Sequence, residues 1–140
     1  MQCCSSPAMP RHISPESPSK STAGSTLSET PFVDSSTTAW KQLAPGVERQ
    51  ILSYGPDLML VRVRFEGGAV GAVHHHPHRQ ATYVAEGSFE VTVGESRRTL
   101  HKGDTFFAAA DVPHGVKALE PGLLIDCFTP ARADFLETII

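Results

Sequence analysis

The chain has 140 residues, with 12 lysines and arginines against 15 acidic residues, a length for one domain and a charge of −3 that argues against a nucleic-acid surface. No apolar run approaches membrane-spanning length, and the N-terminus lacks the apolar core of a signal peptide. Three cysteines, Cys3, Cys4 and Cys127, make no disulfide framework, so a cytoplasmic protein is expected.

Residues 1–30 are rich in Ser, Pro and Thr and nearly devoid of large apolar side chains. Such a segment cannot bury enough surface to offset its ordering entropy, so a disordered tail is expected. Met9 is an alternative start, and Cys3, Cys4 and His12 read as part of that tail rather than as a metal site. Residues 31–140 are expected to fold, with Phe32 and Trp40 packing an N-terminal strand. Asp57–Glu66 alternates, with Met59, Val61, Val63 and Phe65 on one face and Arg62 and Arg64 on the other, which predicts a half-buried strand. Ser88–Gly94 alternates in the same way. Turn signals recur at Tyr54–Asp57, Gly67-Gly68, Glu86-Gly87, Val93–Glu95, Lys102–Asp104 and Glu120–Gly122. Short strands at roughly 8–12-residue spacing predict an all-β sandwich or small barrel. Only Ala131–Thr138 reads as a helix, introduced by Thr129-Pro130 and anchored by Phe135 and Leu136.

Four residues stand out as a candidate metal site. His74 and His76 form a His-x-His pair; on an extended strand side chains alternate, so both imidazoles face one side. A third imidazole from His114, far along the chain, would complete a pocket for a divalent cation, and the amide oxygen of Gln80 would add a fourth ligand. The competing reading is of solvent-facing strand histidines. By the same alternation His75 points outward. His78 follows Pro77 and is read evenly as an outer contact of the site or a bystander. His101, Lys102 and Lys117 read as surface residues, and Tyr83 as core rather than cavity lining.

Asp126 lies inside an apolar run and shares a face with Leu124 and Phe128, while Ile125 and Cys127 take the other face. A buried carboxylate is costly unless paired. Asp126 could sit on a solvent face at a sheet edge, form a structural pair with Arg132, or lie near the metal as a proton carrier; the last is the reading adopted, because perturbed acids cluster at such sites.

The spacing resembles the cupin superfamily. Its first motif runs Gly, five residues, His-x-His, three or four residues, Glu, six residues, Gly, and Gly68, His74, His76, Gln80 and Gly87 hold that register with Gln in place of Glu. In the second motif Gly103 and His114 hold register, while Ala109, Asp111 and Ala118 replace Pro, Gly and Asn. The resemblance implies a single-domain jelly-roll β-barrel with a short C-terminal helix, and by analogy a homodimer. From about Phe32 to Leu136 the chain is similar to the small pectin-degradation cupins, in stretches such as Gly68–His74, Val112–Lys117 and Leu124–Arg132. Those proteins convert 4,5-unsaturated monouronates from pectin or alginate breakdown to the linear 5-keto form. The resemblance implies metal ligands at His74, His76, Gln80 and His114, with Gln usual at the fourth position, and active-site roles for Asp126, Phe128 and Arg132. On the chemistry of a uronate, Asp126 is expected as general acid/base, Arg132 as carboxylate holder and Phe128 as an apolar wall. The ligand set admits nickel, zinc, iron, manganese or cobalt, and the resemblance brings nickel forward. A cupin dioxygenase and a non-catalytic cupin that binds sugar acids are the alternative functions.

Overall fold

Among the described residues, period-two burial marks ten strands, preceded by a 3-10 turn at Ser35–Thr37 and followed by one short α-helix. The computed structural model describes residues 30–137, so the expected disordered tail falls, apart from Thr30, outside the described residues. The strands are β1 (Lys41–Ala44), β2 (Val47–Gly55), β3 (Leu58–Phe65), β4 (Val70–His74), β5 (Arg79–Glu86), β6 (Ser88–Val93), β7 (Ser96–His101), β8 (Thr105–Ala108), β9 (His114–Ala118) and β10 (Gly122–Thr129), followed by α1 (Ala133–Glu137). They form two antiparallel sheets, ordered β1-β2-β3-β10-β5-β8 and β4-β9-β6-β7. This is the all-β, two-sheet jelly roll that the cupin resemblance implies.

The inward faces build one core. On β3, Met59, Val61, Val63 and Phe65 are buried in strict alternation. β10 alternates along its whole length, burying Gly122, Leu124, Asp126 and Phe128. Phe89 of β6 meets Phe65 edge-to-face at 5.2 Å between ring centroids, which joins the two sheets. Because β10 is hydrogen-bonded to β3 on one side and β5 on the other, it lies in the middle of its sheet. Asp126 therefore does not sit at a sheet edge.

Three turn glycines of the motif adopt left-handed backbone, and Gly87 (φ +84°) has the clearest need of it. A β-carbon there would lie 2.6 Å from the Pro121 carbonyl oxygen. At the position where the second motif has glycine, Asp111 itself adopts φ +63°. Asp tolerates this conformation better than most side chains, so the loop keeps its left-handed residue without the glycine.

Tyr83 and Phe32 depart from expectation, Tyr83 through the direction of its side chain off the sheet. Tyr83 is 47% exposed rather than core, because β5 buries Gln80, Thr82 and Val84 and turns Ala81 and Tyr83 outward. Phe32 lies ahead of β1 and is 88% exposed. Trp40 lies on the outer face of β3, where its ring stacks under the Arg64 guanidinium at 3.9 Å. The segment before β1 is held there by Gln50, whose amide nitrogen donates to the Ser35 and Thr38 carbonyls while its oxygen accepts from Arg62.

Candidate metal centre and active site

The strand ladder brings the sequence-distant histidines together. His74 ends β4 and His114 begins β9, and the two are direct cross-strand partners. His76 lies two residues past the end of β4, so the His-x-His pair straddles a strand end instead of sharing one strand. Its ring still converges with the others. The ligand atoms of His74, His76 and His114 lie within 4.8 Å of one another. His76 and His114 are buried, and His74 forms the solvent-facing side of the group.

Hydrogen bonds fix the chemistry of each ring. The Nδ1 of His74 lies 2.9 Å from the Ala72 carbonyl oxygen, that of His76 3.0 Å from the His78 carbonyl, and that of His114 2.8 Å from the Val112 carbonyl. A carbonyl only accepts, so each Nδ1 carries the proton and each Nε2 presents a lone pair. The Gln80 Oε1 lies 3.1 Å from the His76 Nε2 and 3.0 Å from the His114 Nε2. Several acceptors thus crowd one point, an arrangement that a cation satisfies and that neutral side chains alone do not. Burial and the nearby Arg132 push the His76 pKa below its ordinary value; burial and His74 do the same for His114. Both effects favour the neutral imidazole that ligates metal.

His78 enters the site through its backbone, as the carbonyl that orients His76. His75 is exposed, as expected from alternation, and lies 3.8 Å from Asp111. His101, Lys102 and Lys117 are exposed.

Behind Gln80 the polar chain continues inward. The Gln80 amide nitrogen donates to the Thr82 hydroxyl at 2.9 Å and reaches Asp126 Oδ1 at 3.4 Å, and the Thr82 hydroxyl donates to Asp126 Oδ1 at 2.6 Å. Register explains the contact, because Thr82 and Asp126 are cross-strand partners on β5 and β10. Burial pushes the Asp126 carboxyl up to about 6, against the opposing pull of Thr82, Arg132 and Gln80. A carboxyl poised there can hold and release a proton near neutral pH.

Arg132 does not pair with Asp126. Its Nε and Nη2 donate to the two carboxylate oxygens of Asp134 at 3.0 and 2.8 Å. That engages one edge of the guanidinium, and the edge formed by its two terminal nitrogens is left for another acceptor. The guanidinium also stacks on Phe135 at 4.1 Å and lies 5.0 Å from the Phe128 ring. Phe128 in turn meets the His76 ring edge-on at 5.7 Å. His74, Gln80, His114, Asp126, Phe128 and Arg132 line a single cavity between the sheets, of about 130 Å³.

Two buried residues of this cavity region escape a motif-based reading. Arg49 of β2 lines the cavity and stacks over Phe135 at 3.8 Å. Burial and the neighbouring Arg132 hold its pKa below the usual arginine range. Its signal in sequence is a charge at the inward position of Val47-x-Arg49-x-Ile51. Thr82 has a similar signal in Gln80-x-Thr82-x-Val84.

The chain matches the Cupin domain family over residues 61–127. It is 47% identical over 107 residues to the pectin degradation protein KdgF of Dickeya dadantii (strain 3937), covering 75% of this chain and 96% of that protein. This chain is a KdgF-family cupin. Among solved structures, KdgF from Halomonas sp. is 43% identical with a TM-score of 0.70, covering 74% of this chain and 96% of that one. An RmlC-like cupin from Shewanella frigidimarina NCIMB 400 is 40% identical with a TM-score of 0.73, covering 76% and 96%. The matched Cupin domain segment, residues 61–127, spans both histidine motifs and the inward face of β5.

Proposed function

We propose that the chain is a metal-dependent enzyme that opens the ring of 4,5-unsaturated uronates from pectin or alginate breakdown, giving the linear 5-keto-4-deoxyuronate. The observation that carries the reading is the meeting of three Nε2 lone pairs and an amide oxygen with a buried carboxyl one hydroxyl away. The kinship with pectin degradation proteins supplies the substrate class. Residues 31–140 are the assigned catalytic unit.

His74, His76, His114 and Gln80 would hold the cation. The site fits one, because its donors are neutral and its lone pairs have no other common partner. A bound divalent cation supplies Lewis acidity toward substrate oxygens, and the neutral ligands leave its full charge available. Nickel, zinc, iron, manganese and cobalt all suit this donor set.

The substrate is a cyclic enol ether with a hemiacetal at C1 and a carboxylate at C5. Asp126 takes the proton of the anomeric hydroxyl. The C1–O5 bond then breaks as the C1 carbonyl forms, leaving an enolate over C4, C5 and O5. Asp126 returns the proton to C4 and the ketone forms at C5. The sequence is an isomerisation that consumes no co-reactant. Arg132 holds the uronate carboxylate with its unengaged edge, and Phe128 packs one sugar face and excludes water. The reading carries with it a homodimer acting in the cytoplasm; among the described residues no helix is long and apolar enough to cross a membrane.

The test is decay of the ultraviolet absorbance of unsaturated galacturonate, with protein as purified, chelated, and re-metallated. Metal-restored acceleration above the spontaneous rate is expected. No acceleration by metal-loaded protein would sink the reading, and oxygen uptake would then be measured to test a cupin dioxygenase.

A further inference from the structure

We propose that Thr82 is a positioning residue for the metal, its hydroxyl fixing which end of the Gln80 amide faces the three imidazoles. The inference rests on the metal-site reading above and deepens it. Thr82 is 1% exposed and has one hydroxyl proton. With Asp126 ionised, that proton goes to its Oδ1 at 2.6 Å, since a carboxylate only accepts. The Gln80 group 2.9 Å from the Thr82 oxygen must therefore be the amide nitrogen. The amide oxygen is left facing the Nε2 atoms of His76 and His114.

The alternative orientation shows what the hydroxyl prevents. A reversed amide would donate its N–H groups to the imidazoles, occupying the lone pairs that a cation needs. It would also push its oxygen against the Thr82 oxygen and Asp126. With Thr82 in place that reversed state carries repelling acceptors in a buried setting, where unmatched polar groups are costly. The same geometry accounts for Gln rather than Glu at position 80. A carboxylate there would bring a second acceptor to Thr82, whose proton is already committed.

The hydroxyl is placed by backbone register. Gln80 and Thr82 share the inward face of β5, and Thr82 sits across from Asp126 of β10 and Phe106 of β8. The ring nitrogens of His76 and His114 contact backbone carbonyls and Gln80, and the one ligand residue that Thr82 is hydrogen-bonded to among the described residues is Gln80.

The experiment compares Thr82→Val, which keeps the shape and removes the hydroxyl, with Thr82→Ser, which keeps the hydroxyl. The probe is Ni²⁺ alone, titrated into metal-free full-length protein in competition with a chromophoric chelator. Melting of the metal-free proteins reports folding, and Thr82→Ala stands in should the valine variant fail to fold. Thr82→Val is expected to bind about 10–100-fold more weakly, the usual consequence of removing a ligand's outer hydrogen-bond partner, with Thr82→Ser at the parental affinity. Parental affinity in folded Thr82→Val overturns the proposal, as does Thr82→Ser binding as weakly as the valine variant. Failure of the parent protein to bind Ni²⁺ overturns both this proposal and the metal-site reading. Failure of ring opening alone, with Ni²⁺ still bound, overturns only the proposed reaction.

Discussion

His74 and His114 stand opposite each other across the β4–β9 ladder, with ring centroids 4.5 Å apart. Both rings are aimed by their own backbone, through Nδ1 contacts to the Ala72 and Val112 carbonyls. This pairing ties the candidate metal site to the fold, since slipping the ladder by one residue would turn one ring out of the cavity. Gly115, next to His114, lets the strands approach. A β-carbon there would lie 2.9 Å from Val73 and 3.0 Å from the Gly71 carbonyl.

Loss of a ring should therefore cost more than loss of an outer partner. His114→Ala is expected to weaken divalent-metal binding by more than the roughly 10–100-fold typical of outer hydrogen-bond changes. It should also abolish the rise in melting temperature on adding metal, because only native protein with an intact site gains from binding. Chelator competition and thermal melting check both. An unchanged metal-induced shift would remove His114 from the site.

Asp126 links stability to pH. Its native pKa of about 6 lies above the ordinary aspartate value, so the native state holds a proton that the unfolded chain releases. The contribution is fully present below about pH 4 and is lost as pH rises through about 6. Asp126→Asn is expected to suppress turnover of the metal-loaded protein and, in metal-free protein, to stabilise increasingly above about pH 4, by up to about 3 kcal/mol above pH 6. Urea denaturation at pH 5 and pH 8 reads the stability, with the gain at pH 5 about half that at pH 8. A variant less stable at pH 8 would show that the carboxylate's hydrogen bond from Thr82 outweighs its burial.

Much of the architecture was legible because alternation is a physical signal. Met59, Val61, Val63 and Phe65 announced the inward face of β3, and Leu124, Asp126 and Phe128 that of β10. Tyr83 shows the limit: aromatic character predicts burial on average, whereas its place between Thr82 and Val84 on β5 turns it outward. The alternative of a structural Asp126–Arg132 pair is set aside because Asp134, two residues away, takes the guanidinium. The convergence of His74 and His114 depends on a β4–β9 pairing that no local pattern encodes. It was legible only through the resemblance to a known motif.

Gly87 tests the fold apart from the site. Gly87→Ala forces a left-handed residue to carry a β-carbon 2.6 Å from the Pro121 oxygen and 2.8 Å from the Gly122 Cα. Backbone strain of this kind costs roughly 1–3 kcal/mol before the clash is counted. The variant is expected to unfold at clearly lower urea concentration. Equal stability would mean that the β5–β6 turn relaxes without disturbing β10.

Arg132 and Asp134 separate binding from turnover. Asp134 engages the Nε–Nη2 edge of the guanidinium and so sets the direction of the opposite edge. Arg132→Lys keeps the charge but loses the planar fork that grips a carboxylate and also the two-point contact with Asp134. Its KM for the unsaturated uronate is expected to rise at least tenfold, a loss of about 1.4 kcal/mol in binding, with a smaller fall in kcat. Asp134→Asn keeps the guanidinium and loosens its aim, so KM should rise less. If Arg132→Lys lowers kcat with KM unchanged, the guanidinium acts on the developing enolate instead of the resting carboxylate, and the role assigned to it here is wrong.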